Sequence, residues 1–510
     1  MKRITLPILQ GELWWGGYVD DGHKMPLCGD SEAAFNMRHN PSYNQVNPIF
    51  LSSRGRSIWC DDYYDITFSG GVIAVDSGDG AEVIVDESGK NLRDAYFKAC
   101  GRHFAFDGTT PPKILFEKPH HNTWIALMYD QSQADVLKYA SGAYKNGAKG
   151  GLFIIDNGWQ RYYGDWEFNE RFPNPKKMVD KLQKMGFRVT LWIVPYVSPD
   201  SAVFRELEKL GAFVKTAEGE VFLSHWWDGY SAVLDMTNPV AADWLNRQCE
   251  RLQRDYGIDG FKFDAGDARL YSADIRCFEE NASANRQSEL WAKNARRYEL
   301  NELRACCKCG GLPLVQRVAD SHHVWGAQNG LSGLVAKSLA QSQSGYPYLC
   351  PDMIGGGLFS DFQKEGGREF DSELFIRYCQ ASALMPMMQF SYDYWARLDA
   401  STTEICNRYS KLHESMGGYI YECAVKASKD GTPIMQNMAF AFDELHGVRD
   451  QFMLGERFLV APVLKKGVTE QEVSLPSGKW RYVPTGKIYE GGSRISVPAP
   501  LDILPYFEKI

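Results

Sequence analysis

GGLFIID (150–156), PKKMVDKLQKMG (175–186) and FRVTLWIVP (187–195) follow one another in the chain as an apolar run, an amphipathic segment and a second apolar run. The two apolar runs are short and rich in β-branched residues, the second broken only by Arg188 and Thr190 near its start, which fits strands covered on both faces. The segment between them places Met178, Val179 and Leu182 at helical spacing, starts with Pro and ends with Gly. Strand, helix, strand in this order is the unit from which parallel sheets are built.

The unit repeats on either side. NTWIALMYD (122–130) is followed by SQADVLKYASGAYKNG (132–147), and SAVFRELEKLG (201–211) follows the second apolar run. SAVLDM (231–236) leads into PVAADWLNRQCERLQRDYG (239–257), and DGFKFDAGD (259–267) comes next. After a helix-rich stretch, LPLVQRVAD (312–320), GYPYLCPDM (345–353) and LMPMMQFS (384–391) complete eight candidate strands. Eight such units in roughly 300 residues predict a (β/α)8 barrel over an open doubly wound sheet. No GxGxxG or GxxxxGK[ST] follows any strand, so a nucleotide site has no support.

The flanks read differently. GGVIAVDSG (70–78), AEVIVDESG (81–89) and RHFAFDGTTPP (102–112) are short runs bounded by Gly, Asp and Pro, as are QFMLGERFLVAPVL (451–464), QEVSLPSGKWRYV (471–483) and SRISVPAP (493–500). Both ends are expected to be antiparallel β structure. The expected plan is an N-terminal β-sandwich over residues 1–116, a barrel over 117–427 and a small all-β domain over 428–510.

Composition narrows the partners. The 510 residues carry 56 Lys+Arg against 64 Asp+Glu, a net charge of -8, with no basic block, which disfavours nucleic acid. No stretch approaches the ~18 apolar residues of a membrane span, and the N-terminus lacks the apolar core of a secretory leader, so a cytoplasmic location is expected. The 12 cysteines are too dilute for a disulfide scaffold. Cys306, Cys307 and Cys309 cluster without a second ligand pair, so no metal site is expected. The oligomeric state stays open, a homo-oligomer included.

Barrel enzymes work at the C-terminal ends of their strands, where this sequence puts Asp156, Asp235, Asp264, Asp320 and Asp352. Any one of these could simply cap the next helix. In Gly260–Asp267, Lys262 and Asp264 are two apart and so share the inward face, while Phe261 and Phe263 face the helices. An ammonium there keeps a neighbouring carboxylate ionised, although a purely structural ion pair is the alternative. Trp159, Trp166, Trp192, Trp226, Trp227, Trp325 and Trp395 crowd the same strand ends. Indoles mixed with carboxylates suit the C–H faces and hydroxyl edges of a sugar, and two carboxylates without a metal or cofactor suffice for glycosidic cleavage. A serine-hydrolase scheme has no GxSxG elbow, and His322 and His323 lack a partner nucleophile motif.

At these residues the sequence resembles the retaining α-glycosidases of glycoside hydrolase family 31. NPIFLSSRGRSIW (47–59), NTWIALMYDQ, the run from Ile155 to Ser201, PDMIGGG (351–357) and DQFMLGERFLVAPVL with LPSGKW (475–480) occur in the family's order, the last two groups favouring it over the related family 36. The resemblance implies that Asp264 is the nucleophile. The family's acid/base motif, Trp-x-Gly-Asp, is Val318-Ala319-Asp320 here, and the register of Trp325 and of Arg304 assigns that role to Asp320. Asp156, Trp192, Lys262, Arg304, Trp325 and Asp352 would line the sugar subsite. Lys262 stands where family α-glucosidases usually have an aromatic residue, and Gln389 and Ser391 stand in place of a recognising His. Both departures resemble the branch with the myogenesis-regulating glycosidase and point to an α-galactoside. A retaining exo-α-glycosidase acting on an oligosaccharide or glycoside is thus expected, with an α-glucosidase, a transglycosidase or an inactive sugar-binding homologue as alternatives.

Overall fold

The computed structural model describes residues 2–78 and 81–510, so Met1, at the head of the N-terminal stretch read above, lies outside it. Eight parallel strands form the central sheet: β1 (His120–Asn122), β2 (Gly151–Ile155), β3 (Phe187–Ile193), β4 (Gly260–Phe263), β5 (Leu300–Leu303), β6 (Gln316–Arg317), β7 (Leu349–Cys350) and β8 (Gln389–Phe390). Their spatial order is β7-β6-β5-β4-β3-β2-β1-β8. The open seam lies between β7 and β8, and a hydrogen bond from Ile354 N to Gln389 O, 2.9 Å, spans it.

The local chemistry explains the units. In the helix Pro175–Lys184, Pro sits in the first turn and Met178, Val179 and Leu182 are buried. Gly150 and Gly186 precede β2 and β3 with φ of +101° and +91°, and a Cβ on Gly150 would lie 2.8 Å from Gly186 O. Glycine is therefore required for these adjacent strands to start side by side. In register, Trp192 pairs with Lys262 and Lys262 with Glu302, which sets three inward side chains on one rung. Phe261 and Phe263 pack outward against Tyr298 and Trp291.

One of the eight expected strands falls elsewhere. SAVLDM overlaps Gly229–Val233, the middle strand of a three-stranded antiparallel sheet with Tyr196–Val197 and Leu223–Trp226, beside the barrel mouth. An apolar run covered by a flanking sheet has the same pattern as one inside a barrel. The fifth barrel strand is instead Leu300–Leu303, read above as part of a helical stretch, because its buried Asn301 and Glu302 break the apolar pattern. The first strand also ends earlier than NTWIALMYD suggests. Asn122 Oδ1 accepts the N–H of Trp124 at 2.8 Å and starts a helical turn, Trp124–Leu127.

Two four-stranded antiparallel sheets at the N-terminus enclose Trp14, Phe35, Phe50, Tyr64 and Phe68. RHFAFDGTTPP is not β structure: it holds the end of the helix Leu92–His103 and an irregular stretch. The helix Ala400–Asp430, capped by Asp399 and by Gly431 at φ +77°, leads into a C-terminal region with one six-stranded and one two-stranded antiparallel sheet. All twelve cysteines are free and nine of them are buried. Among the described residues no helix is long and apolar enough to cross a membrane.

Candidate active site

The C-terminal ends of the barrel strands open into a cavity of about 840 Å3 whose wall includes Asp156, Trp192, Lys262, Asp264, Arg304 and Asp320. Six of the ten residues singled out from sequence thus meet around one space.

Asp264 follows β4 and is gripped on both oxygens. Oδ2 accepts from Trp192 Nε1 at 2.9 Å, and Oδ1 accepts from Arg304 Nε at 3.0 Å and from Ala265 N at 2.8 Å. Burial alone would raise its carboxyl, but the charges of Arg304, Lys262 and Arg317 and the indole N–H hold it well below the usual carboxylate range. The chain then turns sharply. Ala265 has φ +55° and Gly266 φ +71°, where a Cβ would come within 2.5 Å of the Trp291 ring. This left-handed pair fixes the direction in which Asp264 presents its oxygens.

Lys262 donates to Asp156 Oδ2 at 2.7 Å, with both groups buried. Burial pulls the ammonium down, and the carboxylates of Asp156, Asp264 and Glu302 together more than offset it, so the net direction is upward. Arg304, after β5, spans two carboxylates: beyond Asp264 it reaches Asp267 Oδ1 and Oδ2 at 2.8 and 2.7 Å, and it donates to Tyr43 O at 2.5 Å. Planar, two-pronged donation of this sort is specific to guanidinium.

Asp320 leaves β6 three residues after Arg317, whose Nη1 donates to its Oδ1 at 2.8 Å. Its side chain is 33% exposed, against 11% for Asp264, so it is the more open carboxylate of the two. The preceding N–H of Ala319 is held by Asn44 Oδ1 at 2.7 Å.

The other four expected residues do not form the cavity wall. Asp352 is fully buried and accepts from Arg317 Nη1 and from the N–H groups of Ser321, Met353 and Gly357, at 2.6–3.0 Å. It anchors the loop that carries Asp320. Trp325 points its N–H at Asp371, 3.1 Å away. Gln389 lies in the barrel interior, donating to Glu302 at 2.8 Å and accepting from Asn122 at 3.2 Å. Ser391 accepts the N–H of Ile125 at 2.7 Å. Asp235, also read as a strand-end carboxylate, is bonded to Thr237, Phe278 and Gln287 away from the cavity.

Sequence reading missed several wall residues. Asp20 and His23 come from the short 3-10 helix Val19–Lys24 and Tyr43 from the stretch between two N-terminal strands, and His225 comes from the hairpin Leu223–Val233 that also carries Trp226 and Trp227. It also missed Arg317, the buried hub that meets Glu302, Asp320 and Asp352. A single Arg in an apolar run carries no local signal, whereas the second acid of DAGD, Asp267, was in plain view.

Residues 110–329 match the model of the glycosyl hydrolases family 31 TIM-barrel domain, and residues 431–509 match that family's C-terminal domain. The chain belongs to glycosyl hydrolase family 31. Among curated members, myogenesis-regulating glycosidase of Mus musculus is 32% identical over 417 residues, 80% of this chain and 58% of the relative. Alpha-xylosidase XylQ of Lactiplantibacillus pentosus is 25% identical, over 87% of this chain and 59% of the relative. The chain therefore spans somewhat more than half the length of these relatives. A Flavobacterium johnsoniae GH31 dextranase structure superposes with a TM-score of 0.86 at 21% identity, covering 99% of this chain and 66% of that one. This likeness confirms the barrel with its two flanking β regions.

Proposed function

We propose that the chain is a retaining exo-α-glycosidase that releases a terminal α-linked hexose. The observation that carries this reading is the unequal environment of two carboxylates on one cavity: Asp264 clamped by an arginine and an indole and kept ionised, Asp320 more open and held from one side. An ionised nucleophile and a second, more accessible carboxyl on the wall of one cavity are the minimum set for double displacement.

In the first step an oxygen of Asp264 attacks C1 and the bond from C1 to the leaving oxygen breaks, that oxygen taking the proton of Asp320. Oδ2 has one donor and Oδ1 two, so Oδ2 has the lone pair to spare. In the second step Asp320 removes a proton from water, the hydroxyl oxygen bonds to C1, and the ester to Asp264 breaks. Arg304, Trp192 and Lys262 hold the negative and positive centres in place throughout.

For the sugar we infer an α-galactoside. The support is Lys262 on the same rung as Trp192, with two of its three N–H groups left for hydroxyls on one edge of the ring. Gln389 and Ser391 are fully buried and add no direct contact, so the inference rests on the lysine. Relatives named for xylose, sulfoquinovose and glucose chemistry mark how widely the sugar varies in the family.

The test is a panel of nitrophenyl α-galactoside, α-glucoside, α-xyloside and α-N-acetylgalactosaminide, with NMR of the first-formed anomer. Release of α-galactose is expected. A first-formed β anomer refutes retention, and no release from any substrate favours an inactive sugar-binding protein.

A further inference from the structure

Beneath the proposed catalytic groups, His120, Glu302 and Cys350 face one another inside the barrel. Their candidate ligand atoms all lie within 4.8 Å of each other, and all three side chains are buried. They come from β1, β5 and β7, strands spread around the barrel and on both sides of its open seam.

The hydrogen bonding around the three residues is that of a ligand set. His120 Nε2 lies 2.9 Å from Leu115 O, a bond it makes only by donating, so its proton sits on Nε2 and Nδ1 carries a lone pair. Nδ1 has no hydrogen-bond partner among the described residues, and neither has Glu302 Oε1. Arg317 Nε stands 3.4 Å from that oxygen, outside hydrogen-bonding geometry. The other carboxylate oxygen is fixed by Gln389 Nε2 at 2.8 Å, and the same amide nitrogen donates to Cys350 Sγ at 3.5 Å. A histidine whose far nitrogen is bonded to a carbonyl, and a carboxylate and a sulfur steadied by one amide, are the outer contacts that orient metal ligands. Glu302 Oε1 keeps only its ion pair with Arg317 and His120 Nδ1 has no donor at all, and a buried acceptor left without a donor costs about 1–3 kcal/mol.

We propose that His120 Nδ1, Glu302 Oε1 and Cys350 Sγ bind one divalent cation of the zinc class, which staples β1, β5 and β7 across the seam. Nitrogen, oxygen and sulfur at this spacing suit Zn2+, whose ligand bonds of about 2.0–2.3 Å need the three atoms to close in by roughly 1 Å. Binding releases the thiol proton, and the thiolate and carboxylate together neutralise the ion. Burial keeps the imidazole neutral, with its pKa lowered to about 4, which leaves the lone pair available. The site lies below the sugar cavity and takes no part in the double displacement.

Because the ligands are sealed from solvent, the ion enters as the barrel forms. The full chain is therefore produced in medium supplemented with zinc or with cobalt(II), and metal per chain is measured by mass spectrometry. About one ion per chain is expected, and the cobalt form should show sulfur-to-cobalt charge transfer from Cys350. Cys350→Ser and His120→Gln should each drop occupancy below about a tenth and remove the charge-transfer band, and two variants are used so that a folding failure in one leaves the other. Metal-loaded wild type should also melt above wild type produced with chelator. Less than about a tenth of an ion in wild type overturns the proposal and assigns the gap to a proton shared by Glu302 and His120. Occupancy unchanged in both variants overturns it too and moves the ion to the Cys306–Cys309 cluster, and equal melting points of loaded and metal-free chain overturn the staple.

Discussion

Arg304 donates through Nε to Oδ1 of Asp264 at 3.0 Å while its two terminal nitrogens close on Asp267. A lysine cannot span both carboxylates. Arg304→Lys is expected to lower kcat/KM by at least about a hundredfold, about 2.7 kcal/mol. The pH profile should change as well. In wild type Asp264 is held so low that it stays ionised throughout the working range, and activity is lost through this group only as pH falls past that depressed value. With the guanidinium gone, the acid limb should climb towards the ordinary carboxylate value near ~4. An unmoved acid limb would separate Arg304 from the ionisation of Asp264.

The two carboxylates should fail in different ways. Asp264→Asn is expected to abolish turnover on every substrate. Asp320→Ala should keep measurable rates on aryl glycosides whose leaving group needs no proton, and azide should restore part of the rate with an α-glycosyl azide as product. Wild-type rates for Asp320→Ala on an unactivated disaccharide would remove Asp320 from the acid/base role.

Lys262→Met tests sugar choice and packing together. Wild type is expected to prefer the α-galactoside over the α-glucoside by at least about tenfold, roughly 1.4 kcal/mol, and the variant should narrow that ratio. It also strands Asp156 as a buried charge without its partner, at a cost of about 3–5 kcal/mol in folding stability. Adding Asp156→Asn should recover much of the melting temperature without recovering the ratio. A glucoside preference in wild type, or an unchanged ratio in the variant, would leave the lysine as a structural partner only.

Acid should unfold the chain through histidines far from the cavity mouth. Burial lowers His120 to about 4, His121 to about 3 and His413 to about 4. The unfolded chain takes up these protons near pH ~6.5 and the folded chain does not, so stability is full above that value and falls as pH drops towards 4. Each histidine contributes a slope of about 1.4 kcal/mol per pH unit inside that window. Urea midpoints at pH 7.5 and 5.5 measure it, and a flat response would mean that these side chains are hydrated.

The sequence was legible where one physical signal dominated. β2, β3 and β4 were readable because both faces are covered, and Lys262 and Asp264 because strand alternation is strict. Leu300–Leu303 was not, since Glu302 faces a polar barrel interior and Asn301, on the opposite face, is bonded to Tyr298 O and Val315 N, and partners of that kind let polar residues erase the apolar pattern. Gln389 and Ser391 sit at a strand end as expected, yet their side chains are spent on Asn122, Glu302 and Ile125, contacts that depend on which strand lies beside β8. Tyr43, His225 and Arg317 belong to the site only through tertiary placement.

The carbonyl of Tyr43, offered to Arg304 from the stretch between two N-terminal strands, divides the proposed chemistry between two parts of the chain. Groups that handle the bond to be broken grow from barrel strands, whose register is fixed by every neighbour. Much of the rim that meets the rest of the substrate hangs on loops of a separate module and on a side hairpin. The rim can therefore vary in sequence without moving the barrel strands, yet Tyr43 O on Arg304 and Asn44 Oδ1 on the N–H of Ala319 make the first hundred residues a brace for both carboxylates, not a detachable cover.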